Sequence, residues 1–428
     1  MRNISHQQYI QKHHQHLQQV STEKRSYYNI HQIVGVDSQV PLIELEYFRT
    51  DKLPGHADLI VNVNSNIGNH TGLFHKRRKI IDDNYAAEKK IKYTEHFGPL
   101  GSQFSIDFSS PIVVTVNSLI ARSRHVLYVN LVEPLLRFLI ISKGHVLLHS
   151  ACIATSDQRS LLLSAPPDTG KTTTVIKCIR EGLGFLSDDM TIITPNQESL
   201  CFPKPMTISA HTFHAAIESS HNTNAIYNTP STYSDSSSSS NDISRFEGQS
   251  ETSLARRDSA QSQNNSNRSG LRIRSIVHSK GGRQFMRRLG NRNVPIFTIN
   301  TIGQAIIRPP KFRIEDIVRQ RAKIIQKASV DSFFFLERGS KEEIVSIAKD
   351  EALTKAIENS DDAFLFPPYK DVLRYLTING ASASDLLLLE KNMVAKLLAK
   401  TDAKIVISKS RSWYKAVLDR SLIKVGLI

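Results

Sequence analysis

Residues 160–189, SLLLSAPPDTGKTTTVIKCIREGLGFLSDD, constrain the fold more than any other stretch of the chain. An apolar, strand-like run, Ser160–Ser164, leads into Ala165-Pro166-Pro167-Asp168-Thr169-Gly170-Lys171-Thr172. A helix-type run follows over Thr173–Glu181 and is closed by Gly182-Leu183-Gly184, the composition of a helix C-cap. A further strand, Gly184–Leu186, then runs into Ser187-Asp188-Asp189. Strand, loop, helix, strand and acid pair in that order specify an α/β unit built around a phosphate loop.

The loop has the Walker A pattern with Ala165 where the pattern has its first Gly. Its second half, Asp168, Thr169, Gly170, Lys171, Thr172 and Thr173, supplies backbone N–H groups and a helix N-terminus, which together favour bound phosphate. Pro166 and Pro167 remove N–H groups only from the first half. Lys171 is placed to neutralise the outer phosphates, and the Thr172 hydroxyl to ligate Mg²⁺. The expected cofactors are therefore ATP and Mg²⁺. Adjacent residues of a strand point to opposite faces, so Asp188 and Asp189 divide two tasks. Asp189 is assigned to the metal with Thr172, and Asp188 to the proton of an acceptor hydroxyl, with the reverse assignment left open.

Leu148-His149-Ser150-Ala151, SAPPDTGKTTT, FLSDD and Phe202-Pro203-Lys204-Pro205 together resemble the HPr kinase/phosphorylase group, which is related to phosphoenolpyruvate carboxykinase. The resemblance is specific over residues 125–210. It is looser over 270–370, where Pro309-Pro310-Lys311 and Phe335-Leu336-Glu337-Arg338-Gly339 match later family stretches. It implies a P-loop kinase core of that type and an ATP site built from His149, Lys171, Thr172, Asp188 and Asp189. It gives His149 a role in orienting or assisting the catalytic acid. It also implies self-association, since related kinases are often oligomers. It does not imply HPr as the substrate.

The rest of the chain sets boundaries. Three cysteines, Cys152, Cys178 and Cys201, lie in apolar surroundings and read as reduced core thiols of a cytoplasmic protein. The N-terminus is polar and rich in His and Gln, unlike a signal peptide. The most apolar run, Leu131–Ile141, carries Glu133 and Arg137, so no transmembrane segment is expected. The expected organisation is a disordered tail over 1–30, a β-rich N-terminal region over 31–125, and a P-loop kinase-like domain over 126–370. A disordered Ser/Asn-rich insertion at 217–270 interrupts that domain, and a mixed α/β region fills 371–428. Within these, 126–143 reads as a strand and then a helix, Val146–Ile153 as one strand, Ile314–Ser329 and Lys341–Glu358 as helices, and Asp331–Leu336 as a buried strand.

A formal net charge of +15 favours anionic partners. Much of it lies in residues 271–314, which hold ten Lys or Arg and no Asp or Glu. The expected activity is transfer of the γ-phosphate of ATP to a hydroxyl of a protein, a peptide, a small molecule or a carbohydrate. Two other classes compete: a non-catalytic nucleotide-sensing module, and a nucleic-acid-binding protein supported by charge alone, without a helix-turn-helix or zinc-finger spacing. A carboxykinase ranks last, for want of a carboxylate-binding or second-metal constellation.

Overall fold

Burial that alternates with a period of two organises the first part of the chain. In β1 (Ser26–Ile30), β2 (Val34–Ser38) and β8 (Ile112–Val116), every other side chain is buried. With β3 (Arg49–Thr50), β4 (Leu59–Val63), β5 (Lys79–Asp83), β6 (Lys90–Phe97) and β7 (Leu100–Asp107) they form an eight-stranded sheet in the order β3-β1-β2-β4-β8-β7-β6-β5. The pairs β2·β4 and β4·β8 are parallel and the others antiparallel. The computed structural model describes residues 25–65, 79–83, 89–97, 100–166, 169–206, 295–306, 311–318, 322–364 and 368–425. Of the tail expected over 1–30, residues 26–30 are strand β1, and residues 1–24 lie outside the described residues. Tyr28 and Ile30 are fully buried in β1, and a strand that fills a core is ordered whatever precedes it. The insertion expected at 217–270 and most of the basic segment lie outside the described residues.

Helix α1 (Ser118–Arg122) starts on Asn117, whose side chain accepts from the Ile120 N–H at 3.2 Å. A continuous helical run follows: α2 (Arg124–Leu127), a π-helical turn at Tyr128–Val132, and α3 (Glu133–Ser142). The strand expected at the start of 126–143 is thus helical. Its β-branched and aromatic residues are buried almost all round, so no one-sided period marks the helix. The run Arg124–Ser142 is long and apolar enough to cross a membrane, but 83% of it is buried inside the fold. It is the central core helix. Its charged Arg137 is held by both oxygens of Glu390, at 2.6 and 2.9 Å.

The second sheet carries the loop that opens at Ala165. It contains β9 (Val146–Leu148), β10 (Ala151–Ala154), β11 (Arg159–Ser164), β12 (Gly184–Ser187), β13 (Thr191–Ile193), β14 (Glu198–Leu200), β15 (Lys327–Arg338), β16 (Glu343–Ser346) and, further on, β19 (Asp402–Ser408). Its pairings are mixed: β11·β15 and β15·β19 are parallel and the rest antiparallel. The architecture is therefore α/β with mixed sheets.

One detail of this sheet builds the site. The run expected as one strand over Val146–Ile153 is two, β9 and β10, separated by His149-Ser150. Across from it, β12 and β13 are separated by Asp188–Met190. Leu148 pairs with Thr191, and Cys152 with Ser187. The two short ladders are thus halves of one antiparallel ladder, broken where His149 faces the acid pair. Breaks of this kind re-aim side chains that a regular strand would hold in the pleat.

The remaining elements pack around this frame. Helix α4 (Lys171–Arg180) follows the phosphate loop. It ends in a Schellman cap, with Leu183 N–H donating to Cys178 O, Gly182 N–H to Ile179 O, and Gly182 at φ +98°. Helix α5 (Ile296–Ile306) begins on the buried Glu95, which accepts from the Thr298 N–H at 2.5 Å. The helix expected over Ile314–Ser329 is only α6 (Ile314–Val318). Beyond it the chain runs extended beside β12, with Phe185 N–H donating to Lys323 O and Ile325 N–H to Phe185 O. A Cβ on Gly184 would lie 2.4 Å from Ile325, so glycine is what admits that close passage.

The helix expected over Lys341–Glu358 is the edge strand β16 followed by α7 (Lys349–Phe364), because Glu343–Ser346 find backbone partners on β19. Helix α8 (Tyr369–Val372), the hairpin β17 (Thr377–Ile378) with β18 (Ala381–Ser382), α9 (Ala383–Lys400), β19 and α10 (Trp413–Val425) complete the chain. The segment beyond 370 therefore supplies a strand of the phosphate-loop sheet, and the described residues form one compact unit.

Candidate functional site

Strands β11 and β12 are both antiparallel to β10, so they run the same way and open at the same end. The phosphate loop leaves β11 there, and the acid pair leaves β12. At that level Ala165 is buried, Thr169 is 6% exposed, and the Thr169 N–H reaches Pro166 O at 3.2 Å. Asp168 lies outside the described residues. Gly170 adopts φ +132° and is the N-cap of α4, where no side chain caps the helix. The first N–H groups of α4 are thus left for an anion. The helix starts at Lys171, two residues earlier than its composition suggests, so Thr172 and Thr173 lie in the first turn.

The acid pair divides as strand geometry requires, but with the partners exchanged. The Thr172 hydroxyl donates to Asp188 Oδ2 at 3.0 Å, so the threonine expected beside Asp189 sits beside Asp188. Asp189 faces the other way, towards His149 Nε2 at 3.2 Å, Lys204 Nζ at 2.6 Å and Lys171 Nζ at 3.7 Å. His149 is held at its other nitrogen by the Asn359 carbonyl, 2.9 Å from Nδ1.

The electrostatics follow from burial. Burial pushes the Asp188 carboxyl up to about 6, with Lys171 opposing and the Asp189 charge adding to the rise. Asp189 goes the other way. Burial would raise it, but Lys204, the His149 hydrogen bond and Lys171 outweigh that and hold it well below the usual carboxylate range. Burial likewise would lower the Lys204 ammonium, yet Asp189 and Glu133 hold it above its ordinary value. Two buried groups of opposite sign have no hydrogen-bond partner among the described residues: Asp188 Oδ1 and Lys171 Nζ. The first asks for a cation and the second for an anion.

Several residues of this constellation had no assigned role in the sequence. Lys204 lies in the Phe202-Pro203-Lys204-Pro205 stretch of the resemblance; it bridges Asp189 to Glu133, 2.6 Å from each. Glu133 begins α3, immediately after the π turn. That turn lets the Glu133 N–H bond to Tyr128 O and brings the Tyr128 ring to 5.7 Å from Lys204 Nζ. Asn359 and Ser360, near the end of α7, fasten His149 through its ring and its backbone N–H, and Asn359 Nδ2 also donates to Ser164 at 2.7 Å. Lys311, read from sequence as part of a basic face, is largely buried, 3.6 Å from Glu44. Glu337 pairs with Lys355 at 2.8 Å and does not enter the site through its carboxylate.

The three cysteines are free and buried, and burial pushes the Cys152 and Cys201 thiols up to about 12 and 11, so they are inert core residues. Among the described residues no group of three or more His, Cys, Asp or Glu forms a ready-made metal cage. Mg²⁺ does not require one, since it keeps waters and phosphate oxygens among its ligands. No protein-family model matches this chain, and no curated protein matches it.

Proposed function

We propose that the chain is a Mg–ATP-dependent phosphotransferase with a P-loop core of the HPr kinase type, acting on a hydroxyl acceptor. The observation that carries this reading is a pair of buried atoms without a hydrogen bond among the described residues, Lys171 Nζ and Asp188 Oδ1, at the mouth of an uncapped helix. A magnesium–phosphate unit supplies an anion to the first and a cation to the second, and neither group is explained by packing.

Thr172 and Asp188 would hold the magnesium ion, which supplies charge neutralisation to the phosphates. The adjacency of those two side chains favours this over the reverse assignment. Lys171 exchanges its long contact with Asp189 for the phosphates. Asp189 then keeps His149 and Lys204, and accepts the hydrogen bond of an acceptor hydroxyl. A carboxylate held this far down is a weak base, so its contribution is orientation of the nucleophile more than proton removal. Phosphoryl transfer tolerates that, because its transition state is loose and positioning dominates.

Calorimetric titration of Mg–ATP into wild type and Lys171→Ala tests the nucleotide site, with binding expected in wild type and lost in the variant. No binding by wild type at millimolar nucleotide sinks the reading. ATP consumption with candidate acceptors then separates a kinase from a sensing module. A kinase loses roughly 10²-fold in turnover as Asp189→Asn, the scale of a misplaced nucleophile, while still binding nucleotide, and a sensor consumes none in either form.

A further inference from the structure

The start of α10 lies against the phosphate loop. Trp413, the chain's single tryptophan, is 1% exposed and packs its ring where a side chain on residue 170 would stand. A Cβ built on Gly170 falls 2.8 Å from Trp413 Cζ3. The indole N–H donates to Glu337 O at 3.0 Å, and Glu337 is near the end of β15, the strand parallel to β11. The next residue, Tyr414, presents its ring 4.7 Å from Lys177 Nζ on α4. The turn before Trp413 is itself anchored. Glu342 accepts from both the N–H and the hydroxyl of Ser410, at 2.9 and 2.8 Å, and Ser412 N–H donates to the Ser408 hydroxyl.

We infer that Trp413 is a positioning residue for the phosphate loop. Its ring backs Gly170 in the positive-φ conformation that lets the loop's N–H groups converge, and the indole hydrogen bond ties that backing to the end of the neighbouring strand. The contact couples the C-terminal helix to the nucleotide site, so Trp413 also reports on it optically. The inference rests on the phosphate-loop reading for its nucleotide arm, while the Gly170–Trp413 contact stands without it. Packing alone would let any apolar residue serve at 413. A flat ring in contact with a glycine at φ +132° asks for an aromatic one.

The test uses the full-length chain and Mg–ATP. Wild-type tryptophan fluorescence changes on titration, and Lys171→Ala abolishes the change. By calorimetry Trp413→Ala weakens Mg–ATP binding by roughly tenfold or more, the scale of loss expected when a binding loop is displaced by a fraction of an ångström. Trp413→Phe, which keeps a flat ring and loses only the indole N–H to Glu337 O, recovers most of that loss but not all of it. Lys177→Ala, which removes the Tyr414 ring's cation–π partner on α4, leaves affinity unchanged. If Trp413→Ala does not fold, Trp413→Leu takes its place with the same expected loss.

Wild-type affinity in the folded Ala or Leu variant overturns the positioning role and leaves the nucleotide site standing. Absence of binding in wild type overturns the nucleotide site instead. The contact is then judged by thermal unfolding of Gly170→Ala, Trp413→Ala and the double variant. A smaller penalty for Gly170→Ala in the Trp413→Ala background supports it, and additive penalties overturn it.

Discussion

Lys204 is the charge that does most to hold the Asp189 carboxyl down. Its ammonium is 2.6 Å from both Glu133 and Asp189, and the Glu133 side chain is only 5% exposed. Removing the cation leaves Glu133 buried and uncompensated, whereas Asp189, 41% exposed, can still be solvated. Lys204→Met should therefore cost about 3–5 kcal/mol, most of it through Glu133. Lys204→Met/Glu133→Gln should recover a large part of that loss. Urea denaturation of the two single variants and the double variant reads the coupling directly, and a loss within about 0.5 kcal/mol in Lys204→Met would place the pair among neutral surface contacts.

Glu44 gives the corresponding pH prediction. Burial would raise its carboxyl, but the His125 hydrogen bond at 2.9 Å and the Lys311 charge hold it below its ordinary 4.5. A carboxylate depressed in the folded state adds stability that is present above its unfolded value and is lost as the pH falls through the folded one. The stability advantage of wild type over Glu44→Gln should thus be widest near neutrality and should shrink below about pH 4.5. Urea midpoints of both proteins across that range measure it, and a gap that widened in acid would reverse the assignment.

At the scale of elements, the end of α7 does the assembling. Within three residues it gives Asn359 to His149 and Ser164, Ser360 to the His149 backbone, and Asp361 to Arg137 of the core helix α3. The Arg137 cluster predicts an asymmetry. Glu390 holds the guanidinium with both oxygens and is 2% exposed, whereas Asp361 makes one bond and is 46% exposed. Glu390→Ala should cost about 3–5 kcal/mol by stranding a buried charge, and Asp361→Ala about 1 kcal/mol or less. Denaturant unfolding of the two variants checks the ranking, and equal losses would mean that Arg137 is held by the packing of Phe364 against its guanidinium instead.

The same elements explain what sequence could and could not reveal. The loop after β11, helix α4, strand β12 and Asp188-Asp189 are consecutive, so local chemistry announced their order, down to the Schellman glycine at 182. Asn359 and Trp413 reach the site from distant parts of the chain and are ordinary helix residues by composition, while the Phe202-Pro203-Lys204-Pro205 stretch marked Lys204 without showing its partners. The π turn at Tyr128–Val132 was hidden for another reason: a segment buried on every side has no amphipathic period to read. Which of Asp188 and Asp189 stands beside Thr172 was not legible, because alternation along a strand says only that the two point different ways.

For the whole molecule, the decisive feature is that no clean boundary separates the eight-stranded sheet from the phosphate-loop sheet. Tyr28, Val61 and Val114 of the first sheet share one core with Leu136 and Ile140 of α3 and with Leu147 and Ile192 of the second sheet. The neighbours of those last two, Val146, Leu148 and Ile193, face a different core together with Cys152, Leu162 and Phe333. Strands β9 and β13 therefore stitch two cores by alternation, and neither core can lose them without exposing the other. The described parts of the chain should unfold in one cooperative step. Far-UV circular dichroism, which sees both sheets, should give the same denaturant midpoint as the fluorescence of Trp413, which sits at the phosphate loop. Saturation with Mg–ATP should move both midpoints together. At a hundred times its dissociation constant the ligand should add about 2.7 kcal/mol, and nothing in Lys171→Ala. If only the fluorescence midpoint moved, the phosphate-loop sheet would be a separate folding unit, and alternation along β9 and β13 would not be enough to bind the two sheets into one.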